Sequence, residues 1–427
     1  MNSTTQITTN NQDTQPITST QNTPANSTTL LDAPQRGLVG LGLTATLLLF
    51  VYVFNSQHIS QSVLLVLGLS FGYTLFHARF GFTSAFRRLM SVGNGQAMRA
   101  HMLMLAVAVT LFAPILAFGT SFFGGEVLGY VDPVGVSLLV GSFMFGIGMQ
   151  LGNGCASGTL YAVGGGRSVM FVTLLFFIIG ATLGAKHLPF WINETPSFEA
   201  FSLATSTGLG YAGAWAVSLV IFATIAGLTL WVEKKKNPPK MAQLPTTKGL
   251  ARVVRGSWPL WAGAIALAVL NALTLMTRGE PWGVTSAFTL WGSKVANLVG
   301  VDVVSWGYWS SPARVAALEA SIFSDATTVL NFGIMLGAFI ASAAAGLFQF
   351  TKITKGNLLA SIIGGLMMGY GARLAFGCNV GAYFSGIASF SLHGYVWGIC
   401  AMAGTFLALY LRPLFGLSVP KSNDSVC

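Results

Sequence analysis

The chain has 427 residues, of which 53% are hydrophobic and only 8% charged, and it carries a formal net charge of +10. Soluble domains carry about 25% charge, so water is excluded as the solvent for most of this surface. The basic excess does not mark a nucleic-acid binder, because these residues cluster between apolar runs, as in the cytoplasmic loops of membrane proteins. Four widely spaced cysteines make neither a disulfide framework nor a metal motif, and neither a metal nor a cofactor is expected.

Residues 1–35 form a tract of Ser, Thr, Asn and Gln with almost no apolar residue before Leu30. Such a tract cannot bury enough surface to offset its ordering entropy and is expected to be a disordered tail. It lacks the basic and apolar regions of a signal peptide. Runs apolar and long enough to cross a membrane follow at 38–54, 61–77, 99–118, 134–151, 168–188, 209–232, 257–276, 324–348, 357–374 and 391–411. The segment after the sixth holds Lys234, Lys235, Lys236, Lys240, Lys248, Arg252 and Arg255, which places it in the cytoplasm. Alternation then puts Arg79, Arg87, Arg88, Arg99, Arg167, Lys352, Lys355 and both termini inside, and Glu126, Asp132, Glu194 and Glu199 outside. The loop 277–323 is external, although mixed in charge. The expected organisation is a first membrane half over 36–232, a basic linker over 233–256, a second membrane half over 257–415 and a tail over 416–427.

An internal repeat underlies the two halves. GSFMFGIGMQLGNGCASG (141–158) and GGLMMGYGARLAFGCNVG (364–381) agree at 8 of 18 positions, pairing Gly154 with Gly377 and Cys155 with Cys378. GFTSAF (81–86) and GVTSAF (283–288) agree at 5 of 6. An odd number of spans separates the copies, so they run in opposite senses. The expected fold is an all-α polytopic membrane protein built on an inverted repeat of transmembrane helices, with short broken or re-entrant helices and a site near the midplane. The segments around Cys155 and Cys378 are too rich in Gly and small polar residues for continuous helix. Broken backbone at membrane depth is tolerated only where protein or a polar cavity surrounds it. Half-helices restarting at Ser157 and Val380 aim free N–H groups at that cavity, an arrangement that suits an anion.

A thiol is a weak, polarisable donor, fitted to a soft sulfur-bearing ligand; the alternative for both cysteines is plain packing. Around them, Asn153 and Asn379 serve either as donors to an anion or as turn formers. Gln150 and Arg373 occupy equivalent places at helix ends, and Arg373 marks either function or snorkelling. Thr83, Ser84 and Thr285 open the short GFTSAF and GVTSAF helices, and Ser157 follows Cys155. His393 reads as a packing or capping residue before a proton relay, Cys400 reads as packing, and Cys427 has no assigned role.

The segment GARLAFGCNVGAYFSGIASFSLHGYVWG (371–398), with its weaker partner FGIGMQLGNGCASGTLY (145–161), resembles the YeeE/YedE family of bacterial sulfur-compound transporters. The resemblance covers residues 38–415. It implies a permease that takes thiosulfate across the inner membrane past buried cysteines, here Cys155 and Cys378, and that cooperates with a small TusA-like sulfur-carrier protein in the cytoplasm. Thiosulfate transporters of the family carry a third pathway cysteine in an earlier segment, where this chain has Thr83 and Ser84. Two other functions remain open: a membrane thiol enzyme acting on a sulfur compound, and a permease or channel for another small anion such as a selenium oxyanion.

Overall fold

The computed structural model describes residues 31–427 except 32, 243–245, 248, 425 and 427. Most of the polar tail, Lys248 and Cys427 therefore lie outside the described residues. In chain order the helices are α1 (Arg36–Ser56), α2 (Ile59–Ala78), α3 (Phe82–Val92), α4 (Gln96–Phe118), α5 (Val136–Leu151), α6 (Ala156–Gly164), α7 (Ser168–Asn193) and α8 (Gly210–Lys236). They continue as α9 (Ala251–Arg255), α10 (Leu260–Arg278), α11 (Thr285–Leu298), α12 (Pro312–Glu319), α13 (Ala326–Ala344) and α14 (Lys355–Leu374). A π-helix (Asn379–Ser385) runs directly into α15 (Gly386–Ala388), and α16 (Leu392–Leu411) closes the set. Among the described residues nine helices are long and apolar enough to cross a membrane, and a tenth span is α14 with the segment after it, bent by 43°.

All ten expected spans are present. Some helices overrun the apolar runs, α7 reaching Asn193 rather than 188 and α8 Lys236 rather than 232, whereas α13 (Ala326–Ala344) falls short of 324–348. Lysine stems lie along apolar surface while their ammonium groups reach water, and the Lys235 ammonium sits over the Trp231 ring at 5.3 Å. The outer surface of α1 exposes Leu41, Leu43, Leu47 and Leu48, and that of α8 exposes Val220, Leu228 and Trp231. In water such patches are a liability; in a bilayer they face their natural solvent. The chain is a multi-pass membrane protein.

The packing has the symmetry of the repeat. α2 packs on α13 as α10 packs on α4, and α14 packs on α7 as α16 packs on α5. α1 lies on α13 as α8 lies on α4, so α8 answers to α1 although a basic linker follows it. Where the copies meet, α5 faces α14: Gly141 lies against Gly371 and Leu374, and Gly148 against Gly364 and Met368. Rising numbers meet falling ones, so α5 and α14 run antiparallel and the two copies are inverted.

Glycine lets these backbones touch. A Cβ at Gly369 would lie 2.1 Å from the Phe177 carbonyl oxygen on α7, and one at Gly72 would lie 2.0 Å from that of Ile334 on α13. Without a hydrophobic force between helices in lipid, this close packing is what holds them together. Gly369→Leu should cost about 1–3 kcal/mol through overpacking and lower the melting temperature in detergent by several degrees. Gly227→Leu on α8, where a Cβ meets nothing within 4 Å, should leave it unchanged; equal shifts in the two variants would refute the packing account.

Candidate functional site

Each broken span ends in the same device. Cys155 and Cys378 are the residues that cap α6 and the π-helix, both in extended backbone (φ −86°, ψ −170° and φ −105°, ψ −166°). The Cys155 sulfur accepts the Gly158 N–H at 3.4 Å and lies 3.5 Å from the Ser157 hydroxyl. The Cys378 sulfur accepts the Val380 N–H at 3.4 Å. A thiol that accepts from backbone keeps its own S–H hydrogen for another acceptor. Two residues before each cysteine the backbone takes the left-handed conformation, φ 57° at both Asn153 and Phe376. Asn adopts it readily, whereas Phe376 sits there at a cost of order 1–3 kcal/mol, offset by the surrounding structure. The Trp397 indole N–H donates to the Gly377 carbonyl at 3.2 Å and pins that turn.

The two half-helices pack against each other, α6 on the π-helix, so the thiols approach a shared region from opposite sides. Both cysteines are buried. Asn379, beside Cys378, is completely buried, and neither its amide nitrogen nor its amide oxygen has a hydrogen-bond partner among the described residues. Leaving such a group unpaired costs about 1–3 kcal/mol, and unpaired buried groups are rare in native proteins. A Cβ at buried Gly381 would meet nothing within 4 Å, so there is room on this side of Cys378. On the other thiol, Thr83 lies beside Cys155 with its hydroxyl lacking a partner of normal geometry. Thr83 opens α3, and its neighbour Ser84 turns back to the Gly81 carbonyl at 3.0 Å.

Cys155 also marks the end of a cavity of about 670 Å³. Its lining includes Thr83, Ser84, Asn153, Gly154 and Tyr161 together with Arg79, Arg87, Arg88, Arg167 and Lys240, and no carboxylate among the described residues. An adjoining cavity of about 540 Å³ shares Arg79, Arg87 and Arg167 and adds Lys352. This basic vestibule opens on the face that bears the α8 lysines.

Gln150 and Asn153 are held by the scaffold. The Gln150 amide donates to the Thr83 carbonyl at 3.0 Å and to the Thr405 hydroxyl at 3.3 Å, and its oxygen accepts from Arg87 at 3.3 Å. Arg412, almost wholly buried, donates to the Gln150 carbonyl and, at 3.1 Å, to the Asn153 side chain. These bonds fix the Cys155 turn. Arg373, the repeat partner of Gln150, lies apart from the vestibule. It donates to the Tyr308 hydroxyl at 2.6 Å, and its guanidinium covers that ring. Thr285 opens α11 on the far side and does not line the vestibule. The structure thus gathers Cys155, Cys378, Asn379, Ser157, Thr83, Ser84 and the two Gly-Cys turns, and leaves Arg373 and Thr285 outside. Arg412 is a further residue at the Cys155 turn, and nothing in its neighbourhood along the chain foretells its burial.

A family described as sulphur transport matches residues 77–407. The chain belongs to this family. It is 28% identical over 370 residues to the thiosulfate transporter TsuA of Escherichia coli, covering 82% of this chain and 94% of that one. It is 25% identical over 354 residues to TsuA of Spirochaeta thermophila, covering 81% of this chain and 97% of that one. The probable transporter YedE of Escherichia coli is 32% identical over 171 residues, a stretch spanning 39% of this chain and only 42% of YedE. These are transporters, and nothing among them favours the alternative of a membrane thiol enzyme.

The two Gly-Cys turns differ in how tightly they are made. A Cβ at Gly377 would lie 2.7 Å from the Ala382 nitrogen, whereas one at Gly154 has nothing nearer than 3.4 Å. Gly377→Ala should destabilise the protein by about 1–3 kcal/mol, read as an earlier thermal transition in detergent. Gly154→Ala should leave that transition within error, and reversal of this order would refute the geometry.

Proposed function

We propose that this protein is a permease that imports thiosulfate, or a closely similar small sulfur anion, through the bacterial inner membrane. The observation that carries the reading is the pair of thiols capping two opposed half-helices, with the unpaired amide of Asn379 beside one of them. The relatives named thiosulfate transporters, aligned over most of both chains, support the cargo.

The anion enters from the far face and meets the Cys378 thiol and the Asn379 amide, which donate to it. It then passes to the Cys155 thiol, with Thr83 and Ser157 as neighbouring hydroxyl donors, and leaves through the basic vestibule. Each half-helix contributes the equivalent of about half a positive charge at its start. Two of them offset only part of a dianion, and that is what passage requires: binding strong enough to enter and weak enough to leave. The vestibule, with its arginines and lysine, faces the cytoplasm by the positive-inside rule, and so do the N- and C-termini. Its charge and width fit a small TusA-like carrier that removes the anion as it emerges. The halves are best divided before α8, which packs as the counterpart of α1.

Purified protein in liposomes should accumulate labelled thiosulfate. Cys378→Ala and Asn379→Ala should each reduce the rate at least ten-fold, because a lost hydrogen bond to a charged group is worth about 1.5–3 kcal/mol. Sulfate should compete poorly, since it lacks the soft terminal sulfur. Full transport by a Cys155→Ala, Cys378→Ala double mutant would refute the thiol relay, and equal competition by sulfate, sulfite and selenite would point to a general anion conduit.

A further inference from the structure

The far face is crossed by the strand-like segment between α4 and α5, residues 119–135. It is tied down along its length: Phe122 N–H donates to the Met276 carbonyl at 2.8 Å and Leu128 N–H to Gly279 at 2.7 Å. Tyr130 donates from its backbone to the Ser389 hydroxyl at 3.0 Å and from its phenol to the Pro281 carbonyl at 3.0 Å. The strap thereby lies across the ends of α10 and α15 and the start of α16. Its next residue but one, Asp132, meets a histidine that the transport route described above does not use.

His393 is completely buried in the first turn of α16. One ring nitrogen, Nδ1, lies 2.6 Å from the Ser391 hydroxyl and 3.4 Å from the Asp132 N–H. The other, Nε2, has no hydrogen-bond partner among the described residues and lies 3.6 Å from an Asp132 carboxylate oxygen. The ring is wedged against the helix that carries Cys378 at its start, for a Cβ at Gly386 would stand 2.7 Å from its Cε1. The Asp132 side chain keeps 31% of its surface open, which gives protons from the far side a way in.

We infer that Asp132 and His393 form a proton-binding site at the outer mouth, so that the anion enters accompanied by a proton. The inference rests on the permease reading and on the basic face lying in the cytoplasm. With the imidazole neutral and the carboxylate ionised, the mouth bears a negative charge that repels an incoming dianion. One proton taken up by the carboxylate, which faces the neutral imidazole across 3.6 Å, cancels that charge and lets the anion reach Cys378. The groups that face the pair are Ser391 on α16, Arg373 at the end of α14, which favours the ionised carboxylate, and Tyr130 on the strap. Behind Tyr130 stand the Arg278–Glu280 ion pair and Asp325. Burial outweighs Arg373 and pushes Asp132 up to about 6. The sign follows: a carboxyl with a raised value is protonated below about pH 6 and ionised above it, so uptake falls as the external pH rises.

The test is labelled thiosulfate uptake into liposomes buffered inside at pH 7.5, with external pH set at 5.5 or 7.5. Thiosulfate is a dianion throughout this range, so the profile reports the protein. Uptake by the unaltered protein should fall on the order of ten-fold between the two values, the change expected of one group titrating near 6. Asp132→Asn, permanently neutral, should transport equally at both, and Asp132→Glu should restore the fall. A pH-sensitive dye trapped inside should report acidification during uptake, lost in Asp132→Asn. Uptake that is flat with pH in the unaltered protein, or that falls equally in Asp132→Asn, overturns the proton site and leaves the permease standing. No thiosulfate uptake at either pH overturns the permease reading and this inference with it.

Discussion

A backbone N–H or carbonyl left unpaired within a bilayer costs several kcal/mol, and this chain interrupts its helices within membrane-crossing segments. Everything around the interruptions is arranged to satisfy the exposed groups from inside the protein. The thiols of Cys155 and Cys378 each accept a free N–H from the first turn of their half-helices. The Trp397 indole covers the Gly377 carbonyl, and Arg412 covers that of Gln150. Two of the groups that complete the fold, the thiols, are therefore also the ones proposed to meet the anion. A cysteine is suited to both tasks at once, since it accepts from the backbone weakly and still has a hydrogen to give.

The inverted repeat supplies two such breaks, and the differences between them give the route its direction. At the Cys155 turn the left-handed position is Asn153, with its side chain held by Arg412, and the surroundings are arginines and a lysine around open space. At the Cys378 turn the same position is Phe376, Cys378 packs within the apolar core, and Asn379 supplies an amide without a partner among the described residues. An anion at the second turn meets few donors and little charge. At the first it meets a strongly positive field. Identical halves would give a symmetric pore; the gradient in positive potential arises because basic side chains occupy one end of a scaffold whose backbone is nearly the same at both.

Much of this was legible in the sequence because its causes are local. Ten apolar runs give ten spans, since length and composition alone decide whether a helix can cross. The repeat of Gly-Cys turns gives their equivalence, and the odd span count gives the inversion that Gly141, Gly148, Gly364 and Gly371 display in their contacts. What the sequence could not supply depends on distant partners. Arg373 and Gln150 are repeat equivalents, yet one reaches out to Tyr308 and the other is locked among Thr83, Arg87 and Thr405. His393 reads as a capping residue until the strap 119–135, more than 250 residues away in the chain, brings Asp132 to its ring. Membership of α8 is obscured for the same reason: the conspicuous basic linker follows it, while its packing on α4 is visible only in three dimensions.

With thiosulfate as the proposed cargo, the Thr83 hydroxyl has a physical consequence for what the route can hold. A hydroxyl donates more strongly than a thiol to a hard oxygen and more poorly to a soft sulfur. Thr83 stands beside Cys155, so a thiosulfate ion arriving there is offered one soft and one hard donor, matching its two ends. Sulfate offers the thiol only oxygen, and a thiol is a poor partner for it. In the proposed route, selectivity then comes from the pairing of unlike donors at one turn, rather than from any single strong contact, and leaves the ion held loosely enough to enter the vestibule.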